Sequence, residues 1–243
     1  MTQVRISAKD LGVLALPNFC PRCFWIKMHC ANKLPFQIFP GIFSSIDSYT
    51  KKVTNVHFDR YSRLPSWLEE LVELGKPVKV PHYSKFSVTD EKTNVVLRGA
   101  PDEILQKDDG SHVILDYKTA KFTKTQDSLL PLYEVQLNAY AYIGERQGFD
   151  PISGLALVYM EPQTDLTPEK LDSLVKEEGF LMAFDGHILQ VGLDAETRIP
   201  PLLRDVRRIH DLESPPPGNE GCRDCQLLDG LISTATHATP GSG

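Results

Sequence analysis

The sequence predicts an α/β fold, with a central mixed β-sheet flanked by helices and the N- and C-terminal segments joined by a cysteine cluster. Three observations carry this. Two strand candidates, residues 94–106 and 112–118, are joined by Lys107-Asp108-Asp109-Gly110, and Asp-Gly between apolar runs is a strong hairpin signal. A helical pattern over 132–144 and a short apolar run over 152–159 follow, giving a β-β-α-β order. Two Cys-x-x-Cys pairs, Cys20/Cys23 and Cys222/Cys225, stand near opposite ends of the chain.

The totals narrow the function classes. With 243 residues there is enough chain to bury a large core, and the reading is one domain over residues 1–232 with a disordered tail over 233–243. A net charge of −6 argues against a chain-wide electrostatic grip on nucleic acid and leaves a local basic groove open. No apolar run approaches bilayer length and Met1 to Asp10 does not read as a signal peptide, so the expectation is a cytoplasmic protein with no membrane partner. Five cysteines, an odd count, fit a secreted disulfide framework poorly, and in a reducing compartment clustered cysteines are more often metal ligands.

In the first third of the chain, Ser7 is placed to cap a helix over 8–16, and a second helix is expected to start at Pro21. Cys20 and Cys23 then lie at a helix N-terminus, which favours thiolates and suits a metal or cluster; buried thiols packed beside Phe24 and Trp25 are the alternative. Cys30 reads as a core thiol. Residues 34–62 suggest a short helix opened by Gly41, Pro65 to Gly75 an amphipathic helix, and Val78 to Phe86 a strand.

The chemistry is concentrated between Gly99 and Tyr140. Alternation along the second strand sends Asp116 and Lys118 to one face and Val113 and Leu115 to the other, while Asp102 can converge with Asp116 across the hairpin. Two convergent carboxylates supply the hard oxygen ligands that Mg²⁺ or Mn²⁺ takes, and a neighbouring lysine can offset developing negative charge. An isolated Asp-x-Lys is usually a surface pair. Here the next helix adds Gln136 and Tyr140, four apart on one face, both able to address a phosphate or a water.

Pro-Asp, a hairpin, Asp-x-Lys and then Gln-x-x-x-Tyr closely resembles the PD-(D/E)XK nuclease superfamily, with its restriction-endonuclease-like core. The match is best with the RecB-like branch, which includes the CRISPR-associated iron–sulfur exonucleases. The resemblance implies that Asp102 and Asp116 bind the metal, that Lys118 is catalytic, and that Gln136 and Tyr140 support the site and contact substrate. It implies a Mg²⁺- or Mn²⁺-dependent deoxyribonuclease, an exonuclease acting on DNA ends or single strands in repair, recombination or defence. One departure stands out. That branch has a histidine or glutamate a few residues after an upstream glycine as a further ligand, whereas the matching place after Gly41 holds Ser45, with Asp47 and His57 as possible substitutes. A nuclease-fold protein that binds nucleic acid with weak or no catalysis is therefore the alternative.

Beyond residue 149, Thr167 reads as the cap of a short helix. Residues 180–184 and 187–191 read as a hairpin turning at Asp185-Gly186, with His187 structural or solvated. A helix over 196–212, its start set by Pro200-Pro201, presents Arg204, Arg207 and Arg208 as a basic face; Lys121 and Lys124 follow the Asp-x-Lys strand. Taken together, the two Cys-x-x-Cys pairs supply four thiolates, enough for Zn²⁺ or an iron–sulfur cluster. They resemble the clamp of AddB-like and CRISPR-associated nucleases, which implies a [4Fe–4S] cluster, with Zn²⁺ as the alternative because the split here is two and two.

Overall fold

The computed structural model describes residues 2–30, 41–69, 75–123 and 128–237. Strand β1 (Val4–Ser7) opens the chain, and Ser7 ends it by capping helix α1 (Ala8–Gly12): its Oγ accepts the Asp10 N–H at 3.0 Å. A short 3₁₀ turn, Val13–Ala15, leads to α2 (Pro21–His29), with proline at its first position. Next come α3 (Gly41–Tyr61), α4 (Ser66–Glu69), β2 (Lys76–Val78), β3 (Ser87–Asp90), β4 (Val95–Arg98), β5 (Glu103–Gln106) and β6 (His112–Lys118). The second half holds α5 (Leu130–Glu145), β7 (Ile152–Pro162), α6 (Pro168–Leu174), β8 (Val175–Lys176), β9 (Gly179–Phe180), β10 (Phe184–Val191), α7 (Ala195–His210) and α8 (Arg223–His237).

A five-stranded sheet runs β10-β7-β6-β5-β2. Its β6–β7 pair is parallel and its other pairs antiparallel, so the sheet is mixed as the sequence predicts. The β5–β6 hairpin turns at Gly110, whose φ of +82° suits a residue without a Cβ. The parallel crossover from β6 to β7 passes through α5. Both faces of the sheet are covered, which is why β6 is buried almost throughout. One core gathers Ile104, Ile114, Leu155 and Leu157 with α1, α5 and α7. The opposite face buries Leu105, Leu115, Tyr117 and Val158 against Leu64 and Leu68.

Several expectations are corrected. Residues 94–106 do not form one strand: β4 joins β1 and β3 in a separate three-stranded sheet, and only β5 pairs with β6. The segment after Gly41 is a 21-residue helix rather than a short one. Of the helix expected over 65–75, Ser66–Glu69 is helical and residues 70–74 lie outside the described residues. Asp185-Gly186 is not a turn. Strand β10 runs straight through it, and Gly186 lies opposite Met160 with Trp67 stacked on it; a Cβ there would meet Trp67 Cβ and Cγ at 3.1 Å. Gly186→Val is expected to cost about 1–3 kcal/mol through overpacking, read as a lower urea midpoint at unchanged m-value.

Helix α7 continues through Pro200-Pro201, held by the buried stripe Ile199, Leu203, Val206 and Ile209. The two prolines leave the Glu196 and Thr197 carbonyls without their helical donors, on exposed residues that water can reach. Arg207 is buried and structural, donating to the Thr2 carbonyl at 2.8 Å and pairing with Asp211, so it leaves the expected basic face. Cys30 is exposed at the end of α2 and is not a core thiol. Residues 233–237, expected in the tail, continue α8; the rest of that segment, like Lys124, lies outside the described residues. Among the described residues no helix is long and apolar enough to cross a membrane.

Candidate metal and nucleic-acid site

The β5–β6 register positions the acids. Glu103 lies opposite Leu115, so Asp102, one residue before β5, falls level with Asp116. Both oxygens of Asp102 are taken: Oδ2 accepts the Tyr117 N–H at 2.7 Å and Oδ1 lies 2.6 Å from Lys51 Nζ. Asp116 and Lys118 share the face that α5 covers, and the Lys118 ammonium pairs with Asp116 Oδ2. That ammonium also sits 4.2 Å from the Tyr133 ring centroid, which fixes its direction. On α5, the buried Gln136 donates through Nε2 to Asp116 Oδ1 at 3.3 Å and to Tyr140 Oη at 2.8 Å. Gly99 makes room for Tyr140: a Cβ there would stand 2.7 Å from the ring. Asp102, Asp116, Lys118, Gln136 and Tyr140 all line one open cavity of about 420 Å³.

The wall opposite α5 comes from α3, and Lys51 on it and Glu103 of β5 were not singled out from sequence. Lys51 bridges Asp102 and Asp47, with Nζ 2.8 Å from Asp47 Oδ2, and Asp47 itself lines the cavity. Glu103 is buried on the other sheet face, accepting from Asn55 Nδ2 at 3.4 Å. Ser45 is exposed and bonds back to the Gly41 carbonyl. His57, ten residues and roughly 15 Å beyond Asp47 along the helix, bonds to the Arg63 carbonyl instead. Of the two substitutes considered for the upstream ligand, only Asp47 reaches the cavity. Lys51 had a signal: it is one turn beyond Asp47, visible once α3 is known to run past the first turn.

Burial, then the neighbouring Asp116 charge, pushes the Asp102 carboxyl up to about 7, against the opposing pull of Lys51. Glu103 is likewise raised to about 7 by burial and by Asp102. Burial disfavours the Lys51 charge, but Asp102 and Asp47 outweigh it and hold the ammonium up. These carboxyls bind protons more readily folded than unfolded between their ordinary values and about 7. Stability of the cation-free protein is therefore greatest at the acid end of that window and falls as pH rises through about 7. Calorimetry should give a higher melting temperature near pH 5 than near pH 7, with a smaller difference in Asp102→Asn.

The donor chemistry fits a hard divalent cation. Among the described residues, buried Gln136 Oε1 accepts no hydrogen bond and Asp116 Oδ2 has only the Lys118 ammonium beside it; an unsatisfied buried acceptor is costly. Asp102, Asp116 and Asp47 offer only oxygen, the ligand set of Mg²⁺ or Mn²⁺.

A second cluster lies where the chain ends meet. The sulfurs of Cys20, Cys23, Cys222 and Cys225 are all within 4.8 Å of one another, a group able to hold a metal ion. Burial opposes the Cys20 thiolate, but N–H groups of Cys23 and Asn219 directed at its sulfur outweigh it and bring the thiol down to about 7. Burial pushes Cys23 and Cys225 up. Arg22 and Asp229 close the same junction with a two-pronged salt bridge, at 2.6 and 2.9 Å.

The profile of the PD-(D/E)XK nuclease superfamily matches residues 37–229. No curated protein sequence matches the chain. A solved structure described as "Crystal structure of SSO0001" aligns over 88% of this chain and 80% of that one, at 16% sequence identity and a TM-score of 0.39.

Proposed function

Because the chain belongs to the PD-(D/E)XK nuclease superfamily, we propose that the cavity between α3, α5 and the β5–β6 hairpin is the active site of a Mg²⁺- or Mn²⁺-dependent deoxyribonuclease. The observation that carries this is the meeting of Asp102 and Asp116 in one cavity, with Lys118 beside them and the Gln136 Oε1 acceptor left without a donor. Asp102 and Asp116, with Asp47 at the rim, would hold the cation. When bound, it supplies charge to a phosphoryl oxygen and makes water more acidic.

The chain's own residues do the rest. Lys118, steadied over Tyr133, presents its ammonium to charge building on the phosphate. Gln136, itself bonded to Tyr140 Oη, holds Asp116 from the helix side, and the Tyr117 N–H holds Asp102 from the strand. Motif order supports an exonuclease of the RecB-like or CRISPR-associated type, acting on DNA ends or single strands in repair, recombination or defence. Four free thiols side by side support a reducing, cytoplasmic setting.

Lys51 favours the second reading, a nuclease-fold protein that binds nucleic acid with weak catalysis, since its ammonium already neutralises Asp102 and Asp47. Degradation of end-labelled single- and double-stranded DNA, with Mg²⁺ or Mn²⁺ and with chelator, separates the two. Cation-dependent shortening from ends supports the exonuclease; binding without cleavage at every cation concentration leaves the second reading.

A further inference from the structure

The four-cysteine site has the dimensions of a single ion. Three of its sulfur–sulfur distances are 3.6 Å (Cys20–Cys225), 3.7 Å (Cys23–Cys222) and 3.3 Å (Cys23–Cys225), and no pair exceeds 4.8 Å. Disulfide sulfurs lie about 2.05 Å apart, and all five cysteines are free. Ligands at a Zn–S distance of about 2.3 Å in a tetrahedron stand about 3.8 Å from one another, close to these three distances and inside the 4.8 Å that bounds them all. In a four-iron cluster each thiolate sits on its own iron and points outward from the cube, so the sulfurs are spread well beyond 4.8 Å.

The surroundings close the site at this size. The backbone at Gly218 presses on Cys225, where a Cβ would stand 2.8 Å from the sulfur, and the Asn219 N–H reaches Cys20 Sγ at 3.5 Å. The neighbouring cavity of about 240 Å³ is bordered by Cys20 and Cys23 but by neither Cys222 nor Cys225, so it is not the space the four sulfurs enclose.

The two halves are built alike. Cys20 immediately precedes α2 and Cys222 immediately precedes α8, and each carbonyl accepts the N–H four residues on, Phe24 and Gln226, at 3.1 Å. Cys23 and Cys225 are the third residues of their helices. Two helix N-termini thus bring a pair of sulfurs each to one point, where the dipoles favour anionic thiolate.

We infer that Cys20, Cys23, Cys222 and Cys225 hold one tetrahedral thiophilic ion of the Zn²⁺ type, not the [4Fe–4S] cluster that the resemblance implies. The ion ties the N-terminal helix α2 to the C-terminal helix α8. This inference stands apart from the nuclease reading, and its test needs no activity.

Protein purified anaerobically from cells supplied with both iron and zinc is to be analysed for metals and acid-labile sulfide. About one zinc per chain without sulfide is expected; iron and sulfide near four each would overturn the inference. Co²⁺ titrated into chelator-stripped protein should saturate at one equivalent, with the intense visible bands of a tetrathiolate site, and be displaced by Zn²⁺. Cys222→Ser should lose those bands and Lys118→Ala keep them. Thiol counting covers the case in which Cys222→Ser does not fold. With one equivalent of Zn²⁺ the wild-type chain should leave one fast-reacting thiol, exposed Cys30, and without it five. Five reactive thiols in the presence of Zn²⁺ would also count against the site.

Discussion

Lys118→Ala and Asp116→Asn are each expected to lower DNA hydrolysis by about 10³-fold or more, a loss of roughly 4 kcal/mol in transition-state stabilisation. Lys118 is the cavity cation paired with Asp116 and directed by the Tyr133 ring, so its removal takes away charge at a fixed place. Lys118→Arg should remain impaired, because a planar guanidinium cannot reproduce a compact ammonium in that contact. Asp116 is buried, and deleting its carboxylate leaves Lys118 and Gln136 without their partner. Asn keeps the shape and separates lost charge from lost folding. Melting temperatures measured beside the rates decide this. Cleavage unaffected by both changes, in folded protein, would remove the site assignment.

Stripping the ion from the cysteine site, or replacing Cys225 with Ser, is expected to lower the melting temperature by roughly 10 °C. The clasp joins residues about 200 apart in sequence, and a cross-link closing so long a loop stabilises by about 3–5 kcal/mol. For a chain of this size each kcal/mol is worth about 2–4 °C. The Arg22–Asp229 bridge lies on the surface and cannot replace it. Differential scanning calorimetry with chelator, then with added Zn²⁺, reads the shift and its recovery. An unchanged melting temperature after complete removal would show that the ends are held by packing alone.

The hairpin, the crossover helix and the apolar strand after it were legible because each is a local pattern: Asp-Gly at a turn, a helical period, a short apolar run. The five residues expected at the site line one cavity because their spacing within strand and helix already placed them by face. Asp185-Gly186 misled for the same reason. A turn dipeptide is a local preference, and Trp67, more than a hundred residues away, holds that stretch extended by packing on Gly186. Pro200-Pro201 likewise suggested a later helix start, yet the buried stripe of α7 outweighs two missing hydrogen bonds.

By itself the sequence determined the mixed sheet, the Asp-x-Lys strand, the Gln-x-x-x-Tyr helix and the two cysteine pairs, all of which follow from short-range periodicity and residue chemistry. Tertiary structure alone decided what those residues meet. It brought Lys51 from α3 onto Asp102, turned Arg207 inward, left Cys30 outside and set four sulfurs at the spacing of one ion. Such contacts join residues from 50 to more than 200 positions apart, and no periodicity of a single strand or helix encodes them.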